Sequence, residues 1–195
     1  MLTMINTLLF QIRTWDLAAT LQLGLASQRS WVYDLAVFGV SSMYWVWIAC
    51  LAMSIFVYAY SGALIGSLHK RVEGIMHFAH QFIIGVGVFC SAYLVKYLTL
   101  VERPYVAIGN VLARVPAGMN AELSFPSAHA TVFMYATCLL WLYKTPVWVK
   151  MLAVVMLVWI TWSRVLVGYH FIVDVIVGYL LGFIGFLIAK KYSIH

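Results

Sequence analysis

Apolar residues run along the chain in long blocks separated by short polar breaks. Five blocks are long enough to cross a bilayer: residues 43–60, 75–100, 127–143, 147–162 and 171–189. The breaks carry helix-ending or polar residues: Ser61-Gly62 with His69-Lys70-Arg71, then Arg103-Pro104, then Lys144-Thr145-Pro146. A sixth block, residues 2–26, is interrupted by Asn6, Gln11, Arg13 and Asp16. It reads as amphipathic, and the pattern does not decide between a span and an interfacial helix. The longest polar stretch, residues 101–125, lies between the second and third blocks, where so long a loop in a small protein is more often functional than idle. The expected architecture is an all-α integral membrane protein, a bundle of five to six transmembrane helices. It forms one membrane domain over residues 1–195, with residues 1–30 an N-terminal amphipathic or transmembrane helix.

Composition makes lipid the solvent. The chain is 65% hydrophobic and 9% charged, against about 25% charged in ordinary soluble domains, too few charges to cover a water-exposed surface. The net charge is +6, from 12 Lys and Arg against 6 Asp and Glu. These basic residues stand in ones and twos at the ends of apolar blocks, which argues against a nucleic-acid-binding face. Cys50, Cys90 and Cys138 all lie inside apolar blocks without metal-ligand spacing and read as small apolar fillers. The N-terminus lacks basic residues before its apolar stretch, and Arg13 and Asp16 interrupt it, so a secretory signal is not expected.

If the five blocks alternate, Lys70, Arg71, Lys144, Lys150, Lys190 and Lys191 share one side, while Arg29, Lys96, Arg103, Arg114 and Arg164 share the other. The positive-inside rule puts the first group in the cytoplasm. Trp45, Trp47, Trp141, Trp148, Trp159 and Trp162 lie mostly near block ends, as an aromatic belt would place them. Gly178 and Gly182 have the four-residue spacing that lets a neighbouring helix of the same chain approach closely.

Three clusters fall on the non-cytoplasmic side. They are Lys96 with Arg103-Pro104; Pro126-Ser127-Ala128-His129; and Ser163-Arg164 followed by His170 and Asp174. Singly, each has a bland reading. Lys96 could snorkel, the arginines could anchor the interface, and His129 could be a satisfied polar residue. A carboxylate inside the block 171–189 is harder to dismiss, because ionisable groups in membrane helices are costly.

Together they describe a site for a phosphoryl group. Lys96 and Arg103 are two helical turns apart and can aim at one region if the helix ends near Arg103. His170 and Asp174 are four apart on one helical face, so the carboxylate can fix one imidazole nitrogen and leave the other as a nucleophile. Pro126 suits a first helical turn, which would leave the Ser127 and Ala128 N–H groups pointing at an anion. Fixed cations, a helix start and two histidines suit phosphoryl transfer, where positioning and charge stabilisation do most of the catalysis.

These clusters, in order and in spacing, resemble the three-part signature of the type 2 phosphatidic acid phosphatase superfamily, which also includes vanadium haloperoxidases. That signature is Lys, six residues, Arg-Pro; Pro-Ser-Gly-His; and Ser-Arg, five residues, His, three residues, Asp. It covers residues 96–174 here, with one departure, Ala128 where glycine is commonest, a change that keeps the backbone N–H. The resemblance implies that His170 is the nucleophile forming a phosphohistidine, that Asp174 orients it, and that His129 is the general acid. Lys96, Arg103, Arg164, Ser127 and Ala128 would bind the substrate phosphate. No metal and no cofactor are implied, since fixed cations replace them.

The implied function is a lipid phosphatase in the bacterial cytoplasmic (inner) membrane, its site facing the periplasm or exterior. Similar compact proteins act on undecaprenyl pyrophosphate, the first expectation here. Phosphatidylglycerophosphate, phosphatidate and lipid A 1-phosphate are the alternatives, as is phosphotransfer to another lipid. A non-catalytic lipid-phosphate binder or transporter would not need His170, Asp174 and His129 together. The expected partners are the lipid phosphate substrate and bilayer lipids, with no nucleic acid. His77 and His80 could be a metal pair but read as interfacial polar residues, and His69 and His195 read as solvated ends. Glu102 and Glu122 read as loop solvation, and Arg114 could meet a second phosphate or a headgroup.

Overall fold

The computed structural model describes residues 2–27, 31–41, 68–107, 123–142 and 146–191. The expected block 43–60 lies outside these residues, as do Arg29, Arg114, Glu122 and His195. Among the described residues there are seven helices: α1 Leu2–Ser27, α2 Trp31–Ser41, α3 Leu68–Thr99, α4 Pro104–Ala107, α5 Ala128–Leu142, α6 Val147–Leu166 and α7 Ile172–Lys191. Four of the five expected blocks thus fall on α3, α5, α6 and α7. The backbone of α3 is helical from Leu68, so His69-Lys70-Arg71, expected as part of a break, lies within the helix.

Three stretches are long and apolar enough to cross a membrane, Ala79–Thr99, Val147–Leu166 and Ile172–Lys191, and α5 is a shorter apolar helix. Between 17% and 33% of each stretch is buried inside the protein. Their outward faces carry large apolar groups such as Ile83, Leu94, Met151, Val155, Leu180 and Ile184, a surface that needs lipid around it. The protein is therefore an all-α membrane protein.

The centre of the bundle is the contact of α5 with α7. A Cβ placed on Gly178 would lie 2.7 Å from the Ser127 carbonyl oxygen, and one on Gly182 would lie 2.2 Å from that of Thr131. The close approach expected of this glycine pair is thus made against α5. Small clusters extend the packing. Phe133, Leu157 and Ile160 join α5 to α6, and Val88, Tyr135 and Ala189 join α3, α5 and α7.

The pattern of blocks does not reveal α2. Tyr33 and Ala36 on its inner face pack with Val167 and Tyr169, so this short helix backs the turn between α6 and α7. α1 turns a polar stripe inward: Asp16, Thr20 and Gly24, spaced by four, are buried, while Ile12, Trp15 and Leu23 are exposed. Gln11, Arg13, Thr14 and Gln22 are exposed as well, so the outer face of α1 is of mixed polarity.

Candidate active site

Local backbone signals put the charged residues at one end of the bundle. α3 stops where Leu100 takes a left-handed conformation, φ 50°, with its N–H on the Lys96 carbonyl at 3.2 Å. The chain then runs through residues 101–103, which pair with 123–124. Glu102 and Leu123 form an isolated antiparallel bridge, and Ser124 N–H donates to the Val101 carbonyl at 2.7 Å. This clasp joins the first cluster to the second.

Lys96 and Arg103 reinforce the clasp. Lys96 Nζ donates to the carbonyls of Leu123 and Ser124, each at 3.0 Å, and Arg103 Nε donates to Leu123 at 3.2 Å. The sequence spacing suggests two turns of one helix. In the structure the helix ends at Thr99, and Arg103 reaches the same place from extended chain beyond it.

The second cluster also differs in detail from expectation. α5 begins at Ala128, which makes Ser127 its N-cap and places Pro126 before the helix. Ser127 Oγ accepts from Ala130 N–H at 3.4 Å, as a capping serine does. The Ser127 N–H is not left unpaired, because it donates to the Asp174 carbonyl at 3.0 Å. Only the serine hydroxyl proton remains to it as a donor toward an anion.

The third cluster is shaped by the turn after α6. Val167 N–H bonds the Ser163 carbonyl, and the N–H groups of Tyr169 and His170 both bond that of Arg164, at 2.9 and 3.2 Å. Gly168 sits at φ 78°, a conformation that favours glycine. The turn brings His170 back over the end of α6, directly before α7. There His170 Nδ1 lies 3.3 Å from Asp174 Oδ2, with both residues 2% exposed. The same oxygen accepts from Phe171 N–H at 2.9 Å and from the Ser124 hydroxyl in a short bond.

The cations converge on this pair. Arg103 and Arg164 both lie over the Tyr169 ring, with guanidinium carbons 5.3 and 5.9 Å from its centroid. Arg164 Nη2 donates to His129 Nε2 at 2.9 Å. A guanidinium cannot accept, so in this arrangement Nε2 is the unprotonated nitrogen of a neutral ring. Burial first, and then the charges of Arg103, Lys96 and Arg164, hold the His170 imidazole well below its ordinary pKa. It is therefore neutral at physiological pH, and contact of Nδ1 with the carboxylate leaves Nε2 as the nitrogen with a lone pair to offer.

All the residues expected at the site meet at this end of the bundle. Three of its members are not singled out by the sequence. Ser124 touches Asp174 Oδ2, Tyr169 carries both arginines, and Asp16 of α1 reaches the start of α7. Of these Asp16 has a readable signal, since a carboxylate in an apolar helix calls for a partner just as Asp174 does. Beside the site, Arg13, Thr14, Leu17, Glu102, Ala107 and Phe171 line an open, mostly apolar cleft of about 210 Å³. His80 is exposed.

Known proteins resemble the chain both in sequence and in fold. The chain is 34% identical over 99 residues to the undecaprenyl-diphosphatase of Sulfolobus acidocaldarius, an alignment covering 50% of this chain and 47% of that protein. It is 42% identical over 110 residues to YbjG of Escherichia coli, provisionally named an undecaprenyl-diphosphatase, covering 55% and 52% of the two. The aligned region thus spans about half the length of each relative. The fold resembles the crystal structure of a transmembrane PAP2 type phosphatidylglycerolphosphate phosphatase from Bacillus subtilis, with TM-score 0.61, 22% identity, and 94% and 86% of the two chains covered. It also resembles that of Aquifex aeolicus LpxE, with TM-score 0.57, 20% identity, and 90% and 94% covered. The profile of the PAP2 superfamily matches residues 82–193, which include all three clusters, and the chain belongs to that superfamily.

Proposed function

We propose that this membrane protein is a lipid phosphatase working through a phosphohistidine, with undecaprenyl diphosphate as its first substrate. The observation that carries the reading is the buried His170, braced at Nδ1 by Asp174, with Lys96, Arg103 and Arg164 close enough to act on its charge. The names of the two sequence relatives favour the polyprenyl diphosphate. Phosphatidylglycerophosphate, phosphatidate and lipid A 1-phosphate are the alternative substrates. Positive-inside reasoning puts the site at the outer face of the bacterial cytoplasmic membrane.

In the proposed reaction His170 Nε2 attacks phosphorus, an N–P bond forms, and the bond from phosphorus to the leaving oxygen breaks. His129 gives that oxygen its proton. Arg164 donates to Nε2 in the free protein, so His129 acts as the acid once Arg164 has turned to the phosphate and Nε2 has taken up a proton. The imidazolium then gives that proton to the leaving oxygen and returns to the neutral ring. Lys96, Arg103 and Arg164 balance the charge on the equatorial oxygens. The Ser127 hydroxyl and the Ala128 N–H at the start of α5 complete the cradle. Water then attacks the phosphohistidine while His129 takes up a proton, releasing orthophosphate and restoring the free imidazole.

Phosphate release by the purified full chain in detergent, measured against a panel of these lipids, tests the reading. Activity on at least one lipid, lost in a folded His170→Ala variant, is expected. Full activity in that variant would reject the assignment of the nucleophile.

A further inference from the structure

The helix that carries Asp174 starts without a capping side chain of its own. α7 begins at Ile172, so Phe171 stands at the N-cap, and its side chain offers no oxygen. Asp174, at the third helical position, reaches back to Phe171 N–H at 2.9 Å, which is half of a capping box. The first two helical N–H groups, those of Ile172 and Val173, need other acceptors.

Asp16 provides them from α1. Its Oδ1 accepts from Ile172 N–H at 3.0 Å, and both its oxygens lie 3.4 Å from Val173 N. The carboxylate is 5% exposed and some 156 positions away in sequence. A buried carboxylate against the positive end of a helix is a strong tether. The tethered backbone is the segment between His170 and Asp174, whose relative placement determines the Nδ1–Oδ2 contact.

We infer that Asp16 is a positioning residue for the reaction, acting through the start of α7 to hold the His170–Asp174 pair in register. The inference rests on the phosphatase reading for its kinetic consequence and on the hydrogen bonds alone for its structural one. Leu17, next along α1, lines the cleft together with Phe171, so the same docking of α1 also contributes to the cleft beside His170.

Two measurements on the full chain in detergent test it, each with Asp16→Ala and Asp16→Asn. The first is hydrogen–deuterium exchange at the Ile172 and Val173 amides. Asp16→Ala should speed exchange there while amides in the middle of α7 keep their protection. Asp16→Asn, which retains Oδ1 as an acceptor, should stay closer to the parent. The second is steady-state phosphate release. A misplaced reacting group costs turnover more than binding, so Asp16→Ala should lower kcat about tenfold or more with KM within about twofold, and Asp16→Asn should recover most of kcat. Unchanged exchange in Asp16→Ala would overturn the tether, and faster exchange with parental kcat would overturn the positioning role. An Asn variant as slow as the Ala variant would also overturn it, since the acceptor oxygen would then not be what matters. A parent protein inactive on every lipid phosphate would reject the phosphatase reading instead, and the exchange result would still decide whether Asp16 holds this helix start.

Discussion

Ser124 donates its hydroxyl proton to Oδ2 of Asp174, fifty positions further along the chain, and that oxygen is also the one facing His170 Nδ1. Ser124 Oγ itself lies 3.4 Å from the same imidazole nitrogen. One oxygen therefore gathers the hydroxyl, the Phe171 N–H and the imidazole, tying the loop before α5 to His170 on the far side of the site. The clasp of residues 101–103 on 123–124 sets where Ser124 enters the core.

Removing the hydroxyl should loosen the carboxylate without removing it. Ser124→Ala deletes a hydrogen bond to a charged acceptor, an interaction worth about 1.5–3 kcal/mol. With Phe171 N–H still in place, kcat is expected to fall about tenfold and KM to stay within about twofold. Steady-state phosphate release by the two proteins checks this, and an unaltered kcat would mean that Phe171 N–H alone fixes Asp174.

The two histidines should separate by leaving group. If His129 protonates the departing oxygen, its loss matters most where that oxygen is a strong base. His129→Ala should lose about 10²–10⁴-fold on a lipid monophosphate, in the range typical of a missing general acid. It should lose far less on p-nitrophenyl phosphate, whose leaving group departs unprotonated. His170→Ala should lose both activities together. Equal losses of His129→Ala on the two substrates would point to phosphate binding rather than acid catalysis.

Much of this site is legible in the sequence because charge in an apolar block is conspicuous. Lys96, Arg103, Arg164 and Asp174 stand out against their surroundings, and each proves to be buried and engaged at the same end of the bundle. Helices α3, α5, α6 and α7 are legible for the complementary reason, since long apolar runs in lipid have few alternatives to helix. Ser124 and Tyr169 are not, because serines and tyrosines are ordinary in loops at a membrane surface and acquire meaning only from what the fold sets beside them. The capping detail at Ser127 is hidden for a similar reason. Whether its N–H is unpaired depends on the Asp174 carbonyl, which α7 supplies from across the α5 contact. α2 escapes because it is 11 residues long, too short to register as a span, and its inward face is explained only by Val167 and Tyr169.

The pH dependence follows from the burial of His170. In the proposed reaction its neutral form is the one that attacks, and its pKa is pushed well below 6.5, first by burial and then by Arg103, Lys96 and Arg164. Lowering a base's pKa extends its neutral range toward acid, so the acid limb of kcat/KM should lie below 6.5. Arg103→Gln removes the largest of the charge contributions and leaves burial in place. The limb should therefore move upward in that variant without reaching the value of a free imidazole. A limb at or above 6.5 in the parent, measured over roughly pH 4–8, would contradict a buried neutral nucleophile.

Glycines on α7 offer a test of how tightly the site depends on helix contact. A methyl group on Gly182 would fall 2.2 Å from the Thr131 carbonyl oxygen, and one on Gly178 would fall 2.7 Å from that of Ser127 and 2.8 Å from Ala130 Cβ. The oxygens are backbone atoms, so the helices must separate to admit either group, and overpacking of this kind costs about 1–3 kcal/mol. Gly182→Ala should lower the melting temperature in detergent. Gly178→Ala should do the same and in addition reduce kcat, because the atom it displaces belongs to Ser127, whose N–H holds the Asp174 carbonyl. A methyl group on Gly87 would meet nothing within 4 Å, so Gly87→Ala should match the parent in both measurements. If Gly178→Ala kept full turnover while losing stability, the start of α5 would be adjustable, and the cradle proposed there would not need its present register with α7.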